Sequence, residues 1–573
     1  MRIKRLLGSS ESGFVLPAVL SFIIVFIIFS GALLEIINTN LANVNNNVKS
    51  QQAFNIAEAG INYYLWHLSH NGTDYQDGTG APTTQDPTYG YGPYVHQYID
   101  DNAVNKGTFT IWVKPQGGGS TIVTVRSIGQ VKNDNNVRTI VAQIGAASFA
   151  SYGLVSDSAL WFGSNETASG PVHSNQGIRL DGPNTDAATS ANATYTPPAG
   201  FGGGTNDPGV WCDPSVTSPV NCNTRNKTTW QYPVTSVNFA SVSSSLCNMK
   251  KTALADNVST ASLATQANAC STALPTTRTS SYLPQICTTG SGSSCSYNRS
   301  IGYLIKLNAN GTYDLLKVTN ENDHFQAAYT NQNVLATTSL ATGISIPPSG
   351  VIFAEDNVWV ATNPTFHGRV SIAAGRLAQS SINAEIVLAG PLAYTNKTEG
   401  DAIGLVSEAS IFMAPYAPFA VGATASCPAV TWPSSSCFNY EIDGALLAEG
   451  NNVTYGENSE SSTNTWRFRN NSNSNPLYTY GWTKSNQTLT MYGSVAVRQT
   501  WTWNIDYGAG NSTCPTNINT QNLAYDSVSG HCFSGIMNTN NQYDYNLLYS
   551  PPPSYPLANG YQILSWREVL SHP

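Results

Sequence analysis

The stretch that most constrains this chain is Gly13 to Leu34, GFVLPAVLSFIIVFIIFSGALL. From Phe14 to Leu34 there are 21 residues without a charge. A helix of that length spans the hydrocarbon core of a bilayer. Arg2, Lys4 and Arg5 precede it, and the next basic residue is Lys49. The positive-inside rule places the short N-terminus in the cytoplasm and everything after Leu34 outside. A secretory signal has a shorter apolar core and ends at small residues of the A-x-A kind, which are not evident here. An uncleaved signal-anchor helix accounts for the stretch as it stands.

Outside the membrane the chain must build more than one folding unit, because it has 573 residues. Only 10% of them are charged, against about 25% in an ordinary globular chain. Asn, Ser, Thr and Gly supply the polar surface instead. The formal net charge of -8 argues against nucleic-acid binding, which needs clustered Lys and Arg. Ten cysteines, Cys212, Cys222, Cys247, Cys270, Cys287, Cys295, Cys427, Cys437, Cys514 and Cys532, all follow the apolar helix. An even number on the outside reads as a disulfide set. Spacing favours neighbour pairs such as Cys427–Cys437 and Cys514–Cys532, and leaves the connectivity open. No C-x-x-C occurs, so neither a zinc site nor any other cofactor is expected.

The helical period continues past the membrane. Leu41, Val44, Val48, Phe54, Ala57, Ile61, Tyr64, Leu65 and Leu68 recur mostly at three- and four-residue steps. One helix from Phe14 to about His67 would be roughly 80 Å long. Its outer half offers an apolar stripe to a sheet. Residues 70–93 are rich in Gly, Thr, Asp and Pro and read as loop. Thr108–Lys114, Thr121–Gly129 and Val137–Ile144 read as strands of a small antiparallel meander.

From Ser148 the texture changes. Short apolar runs alternate with Gly and Asn turns, as in Leu160–Gly163 and Gly170–His173. After Pro348 the runs Val351–Ala361, Phe366–Ala374, Ala384–Leu392 and Ala402–Met413 start 15, 18 and 18 residues apart. Tyr440–Ala448 and Leu489–Val497 follow. Short strands at near-regular spacing, with no helix between them, point to a parallel β-solenoid, in which each rung is buried only by its neighbours. A β-sandwich is the alternative. Residues 183–349 read as an insertion with one helix, Val237–Leu254, and a hairpin of Tyr303–Leu307 with Tyr313–Val318. Near the end, Trp566 is expected to cap the solenoid, since terminal repeats need a cover.

The junction Ser12-Gly13-Phe14, behind a short basic leader and before an unbroken apolar helix, resembles the class III leader of type IV prepilins and pseudopilins. The resemblance implies that a prepilin peptidase cuts after Gly13 and methylates Phe14. The fifth residue of the mature chain, usually Glu in that family, is Ala18 here. The family's Glu neutralises the N-terminal amine of a neighbouring subunit, so a subunit lacking it suits the filament tip or a minor position. The segment Ala53 to Ile61, AFNIAEAGI, is similar to the A-x-x-A-A-E-A-G segment of PilX-like minor pilins. It marks Ala18, Ala53, Ala57, Glu58 and Gly60 as filament- or helix-packing positions. A small-residue face for close packing would use the same alanines and glycine. The tail, with Gly170–Asn175 and Ile442–Ala448, resembles the large exported domain found behind PilX-like helices, which brings no chemistry with it.

Together these readings give an α+β pilin-like module, a long helix plus antiparallel sheet, followed by a mainly-β domain. Its parts are a leader (1–13), the transmembrane and amphipathic helix (14–67), the sheet (68–147) and the exported β domain (148–573). The expected function is a minor pilin or pilin-like surface protein, held in membrane or filament and displaying its outer domain for assembly or adhesion. Its partners would be other pilins, the prepilin peptidase, the membrane and a surface or carbohydrate target. The alternative is a membrane-anchored, carbohydrate-active β-helix enzyme. Glu441 and Asp443, two apart on a strand, share a face and could form a carboxylate pair. Solvated rim carboxylates are the simpler account. His173 and Asn175 share a turn, where a hydrogen-bonded histidine is the default. There is no G-x-S-x-G, P-loop or H-E-x-x-H, so catalysis is not expected. Trp161, Trp359, Trp482, Trp501 and Trp503 lie on or near expected strands. They fill the core unless some are exposed together, where they could stack on sugars.

Overall fold

The structure, a computed structural model, describes residues 15–70, 74–115, 122–256, 270, 277–287, 301–321, 335–377, 383–398, 400–413, 439–450, 453–455, 488–499, 501–509, 524–526, 531–535 and 538–569. It divides into two compact units. The first holds residues 1–114, 123–144 and 563–573, and the second holds 115–122 and 145–562.

In the first unit one helix, α1 (Val15–His70), runs for 56 residues. The sheet that covers its outer half contains β1 (Tyr91–Ile99), β2 (Asn105–Pro115), β3 (Ile122–Val131) and β4 (Val137–Ser148), in the order β1-β2-β3-β4. β1 and β2 pair antiparallel. Burial alternates along β2 and β3, so Phe109, Ile111, Val113, Val123 and Val125 are the buried apolar side. The first three residues of β1 fall in the stretch read as loop, and the rest lies beyond it. Gly90, Gly92 and Pro93 hide it from pattern reading, and its pairing slips in register there.

The fifth strand of this sheet is the last one in the chain, Leu557–Val569, which joins beyond β4. Trp566 is therefore not a solenoid cap. It is 58% exposed and lies 6.0 Å from the Phe54 ring of α1. Arg138 of β4 binds Glu568 through both Nε and Nη2 and donates to Ser50 Oγ at 2.6 Å. The outer domain thus leaves the chain after β4, and the chain returns to complete the first sheet. Residues 563–573, which the sequence places in the exported domain, fall in the first unit instead.

The second unit is mostly β with parallel ladders, unlike the antiparallel sheets of a sandwich. Its large sheet stacks, in order, 230–231, 188–190, 172–174, 154–156, 488–497, 439–448, 402–407, 369–374, 351–354 and 282–283. The chain enters in the middle, at Leu154–Ser156, and builds one way. It then crosses to the far end and builds back until Thr488–Val497 pairs with Leu154–Ser156. A second parallel run stacks Gly302–Asn308, Asn357–Asn363, Ile386–Leu388, Ile411–Met413, Val453–Tyr455 and Trp501–Thr502. The strands Val351–Ala354, Arg369–Ala374, Ala402–Ser407, Asn439–Ala448 and Thr488–Val497 begin 18, 33, 37 and 49 residues apart. The near-regular spacing seen in the sequence came from counting Ala384–Leu392, which belongs to the second ladder, with the first. The hairpin Gly302–Asn308 with Thr312–Glu321 forms as read, and its first strand joins the second ladder in parallel.

Register explains why these runs are continuously apolar. Ile352, Ile372, Leu405, Leu446, Val495, Leu154, Val172 and Ala188 are successive partners, all buried on one face. Their neighbours Phe353, Ala373, Val406, Leu447, Ala496 and Val155 form the opposite ladder and a second core. α2 (Ser241–Ala255) covers that face with Val242, Leu246, Met249 and Ala253. A sheet buried on both faces needs apolar residues at every position, and strict alternation disappears.

Candidate functional site

Two places carry functional potential, one in each unit. The first is α1. From Val15 to Val48 every residue but Ser30 is exposed, including Phe22, Ile27 and Phe29. Among the described residues α1 is the one helix long and apolar enough to cross a membrane. From Ala53 onward the helix turns a buried stripe, Ala53, Ile56, Ala57, Gly60, Ile61, Tyr64 and Leu68, to its own sheet. Small residues set the approach. A Cβ on Gly60 would meet Ser127 Oγ at 2.2 Å, and one on Gly129 would meet Ala53 O at 2.2 Å and Ala57 N at 2.4 Å. Ala53, Ala57 and Gly60 therefore serve the helix–sheet seam of their own module, while Ala18 and Glu58 are exposed. Gly13 and Phe14 lie outside the described residues.

Polar clamps hold the outer end of the helix. Tyr63 Oη donates to Asp77 Oδ1 at 3.0 Å, and His96 Nε2 lies 2.8 Å from Asp77 Oδ2. Tyr64 Oη donates to Asp74 O at 3.1 Å. At the other end of the buried half, Lys49 Nζ reaches Asp134 at 2.5 Å, which holds that carboxyl down near 2. An amphipathic half-helix sealed on a sheet thus carries an apolar half that is exposed among the described residues.

The second place is a charged cluster in the parallel domain. Glu441 and Asp443 do face one way, as their spacing implied, and both meet Lys397. Its Nζ contacts Glu441 Oε1 and lies 3.2 Å from Asp443 Oδ1. Asp443 is fully buried, and its Oδ2 accepts the Tyr394 N–H at 2.8 Å. The Tyr492 ring lies 4.5 Å from Lys397 Nζ, and Tyr492 Oη donates to the buried Asp544 at 3.1 Å. Burial pushes Asp443 up to about 7, against the pull of the Tyr394 N–H and Lys397. Burial pulls Lys397 down, but the two carboxylates outweigh it and leave the amine raised. Sequence reading missed Lys397, Tyr394, Tyr492 and Asp544. Lys397 is 44 residues from Glu441 and comes from a turn outside that strand, so no local pattern links them.

His173 is held between Thr189 Oγ1 at 2.9 Å and Asn175 Oδ1 at 3.0 Å, and burial lowers its pKa. Asn175 itself bonds Asp157 and both backbone groups of Val237. The arrangement braces the end of the strand Val172–Ser174. Of the tryptophans, Trp359 and Trp503 are buried, Trp501 is half-buried and Trp482 lies outside the described residues. Trp161 is 37% exposed, with the Arg179 guanidinium 4.8 Å over its ring. Cys212 pairs with Cys222 and Cys247 with Cys270, and Cys287 is also disulfide-bonded. Cys295, Cys427, Cys437 and Cys514 lie outside the described residues, as does the side chain of Cys532. Among the described residues no group of His, Cys, Asp and Glu could hold a metal ion.

No family model matches the chain, and no curated protein matches it. Among solved structures, a competence-associated pilin, ComZ from Thermus thermophilus, is similar at 12% identity, over 92% of this chain and 98% of that one. Its TM-score is 0.24, a likeness too loose to carry an argument. What the geometry defines by itself is a protein with one membrane-length helix, an α+β module on that helix and a large, mainly parallel β domain.

Proposed function

We propose that the chain is a pilin-like surface protein, a minor pilin of the PilX-like kind, whose outer domain is a parallel β-solenoid displayed for assembly or adhesion. The observation that carries this is the division of α1. Its second half is sealed to a sheet by Ala53, Ala57, Gly60 and Gly129, and its first half is an exposed apolar rod. Such a rod sits in lipid or against other such rods, and nothing else hides it from water. The partners are then other pilins along the first half, and the prepilin peptidase at Gly13-Phe14. An adhesion target, a surface or a carbohydrate, would meet the outer domain. Display rather than catalysis is the role we infer, because one ammonium bridges Glu441 and Asp443 where a glycosidase would need them open to substrate.

The test is Gly13→Ala in the native host. The variant should accumulate at its full unprocessed mass and be missing from the sheared surface-filament fraction. Its appearance there, unprocessed and in wild-type amount, would overturn the reading.

A further inference from the structure

In the second unit the turn carrying Lys397 is laid directly on the strand carrying Asp443. Leu392 N–H donates to Glu441 O at 3.0 Å, and Asp443 N–H donates to Leu392 O at 2.7 Å. This fixes the backbone on both sides of the Lys397–Asp443 approach. Within it the two carboxyl oxygens of Asp443 have different surroundings. Oδ2 takes the Tyr394 N–H at 2.8 Å, and Oδ1 faces Lys397 Nζ at 3.2 Å. Glu441 touches the same Nζ from the half-exposed side, and the Tyr492 ring covers it. Asn546 Nδ2 donates to Lys397 O at 3.1 Å and so steadies the lysine's own backbone. An amine, a buried carboxyl, a second carboxylate on the same amine, and a backbone donor on the far oxygen are the parts of an acyl-transfer site in which both reactants belong to the protein.

We propose that Lys397 Nζ and Asp443 Cγ condense to an intramolecular amide, with Glu441 as the proton carrier, so that this turn and the strand Asn439–Ala448 become covalently joined.

The step balances without an oxidant or a co-reactant. Lys397 gives one proton to Asp443, which leaves a neutral amine beside a neutral carboxyl. Burial lowers the cost of that neutral pair, while the two carboxylates hold the amine raised and keep the pair a minor state from which the reaction proceeds. The amine lone pair forms the N–C bond at Cγ, and the negative charge that develops on Oδ2 is met by the Tyr394 N–H. Glu441 takes a proton from the nitrogen and returns it to Oδ1. The Cγ–Oδ1 bond breaks and one water leaves. Of the three protons on the starting ammonium, one stays on the amide nitrogen and two depart in the water. Glu441 ends as it began. Condensation in bulk water is unfavourable, but groups held in place can reach effective concentrations on the order of 10⁵–10⁸ M. The burial of Asp443 keeps solvent from the reverse hydrolysis.

The experiment is a peptide map of the full-length protein from its host. Digestion after glutamate should yield a branched species that joins residues 386–399 to residues 442–449 and is lighter than their sum by one water. Trypsin should fail to cut after Lys397. Quantitative recovery of the two linear peptides, with Lys397 cut normally, would overturn the proposal and leave an ion triad. In Glu441→Gln the second peptide lengthens to residues 409–449, because cleavage after 441 is lost, and no species joining it to residues 386–399 should form while the Cys212–Cys222 and Cys247–Cys270 disulfides still do. A branched species at wild-type yield in that variant would remove Glu441 from the step. Lys397→Arg keeps a cation beside both carboxylates but lacks the nucleophile. It should fold and give only linear peptides, and any residual link to residues 442–449 would contradict the assignment of Lys397.

Discussion

Charge is handled differently in the two units. In the first, carboxylates near the surface meet cations or N–H donors: Asp134 meets Lys49, Glu568 meets Arg138, and Asp100 takes the Val104 N–H before Lys106. Each is held below its usual range. In the second unit Glu355, Glu408, Glu449, Asp443 and Asp544 are pushed up, in every case chiefly by burial. Glu355, Glu408 and Glu449 directly follow strands of the large sheet. Glu355 forms a fully buried pair with Lys250 of α2, and Glu449 accepts the Ser243 hydroxyl of the same helix. A helix-and-sheet module can leave its charges at the rim, whereas a stacked sheet covered on both faces brings its corner charges inside.

The largest expected effect that would break this comparison is at Lys250. Lys250→Ala leaves Glu355 buried without its cation and should destabilise the second unit by about 3–5 kcal/mol. Replacing both partners with methionine should recover most of that loss. Hydrogen exchange resolved by unit would read both, and exchange in β2 and β3 should not change. In the first unit the tightest point is steric. Gly129→Ala puts a methyl group into the backbone of Ala53 and Ala57 and should cost about 1–3 kcal/mol. The check is urea unfolding followed by exchange in α1 from Ala53 to Leu68.

Acid should separate the units without any mutation. Carboxylates with lowered pKa contribute stability that is present above their ordinary range and is lost as pH falls through the folded value. The first unit should therefore weaken from about pH 4 toward the Asp134 value of about 2. Carboxylates with raised pKa bind protons more tightly when folded, so the second unit should gain stability as pH falls from about 7, the Asp443 value, to about 4. Asp213, held low by its bonds to Ser215 before Arg179, works the other way in that unit. Protection factors, corrected for the intrinsic pH dependence of exchange, that fall in both units between pH 7 and pH 4 would contradict the contrast. The smallest effect belongs to the Arg138–Glu568 pair, whose side chains are 33% and 27% exposed. Arg138→Gln should cost the first unit no more than about 1 kcal/mol.

Sequence alone revealed what is local. The uncharged run and the three- and four-residue steps marked α1 and its buried stripe. The strands β2, β3 and β4 followed from β-branched runs, and α2 from Val242, Leu246 and Met249. What stayed hidden depends on distant partners. The strand Leu557–Val569 has no clean alternation, and its pairing with β4 spans 430 residues at Arg138 and Glu568. Trp566 is expected as a cap because terminal repeats need a cover, yet it lies on an edge strand. The rung pattern was visible, but two ladders were counted as one because both are buried on every face. At the charged cluster the i, i+2 spacing of Glu441 and Asp443 was legible. The lysine between them was not, since the fold alone brings a turn of one rung onto the strand of the next.

The account rests most directly on how the chain is anchored, and the N-terminus of the protein isolated from its host tests that. Mass spectrometry should find a chain that begins at N-methylated Phe14, processed after Gly13 despite Ala18. A chain that begins at an intact Met1 would contradict the pilin-like reading and leave a surface protein held by an ordinary signal-anchor helix.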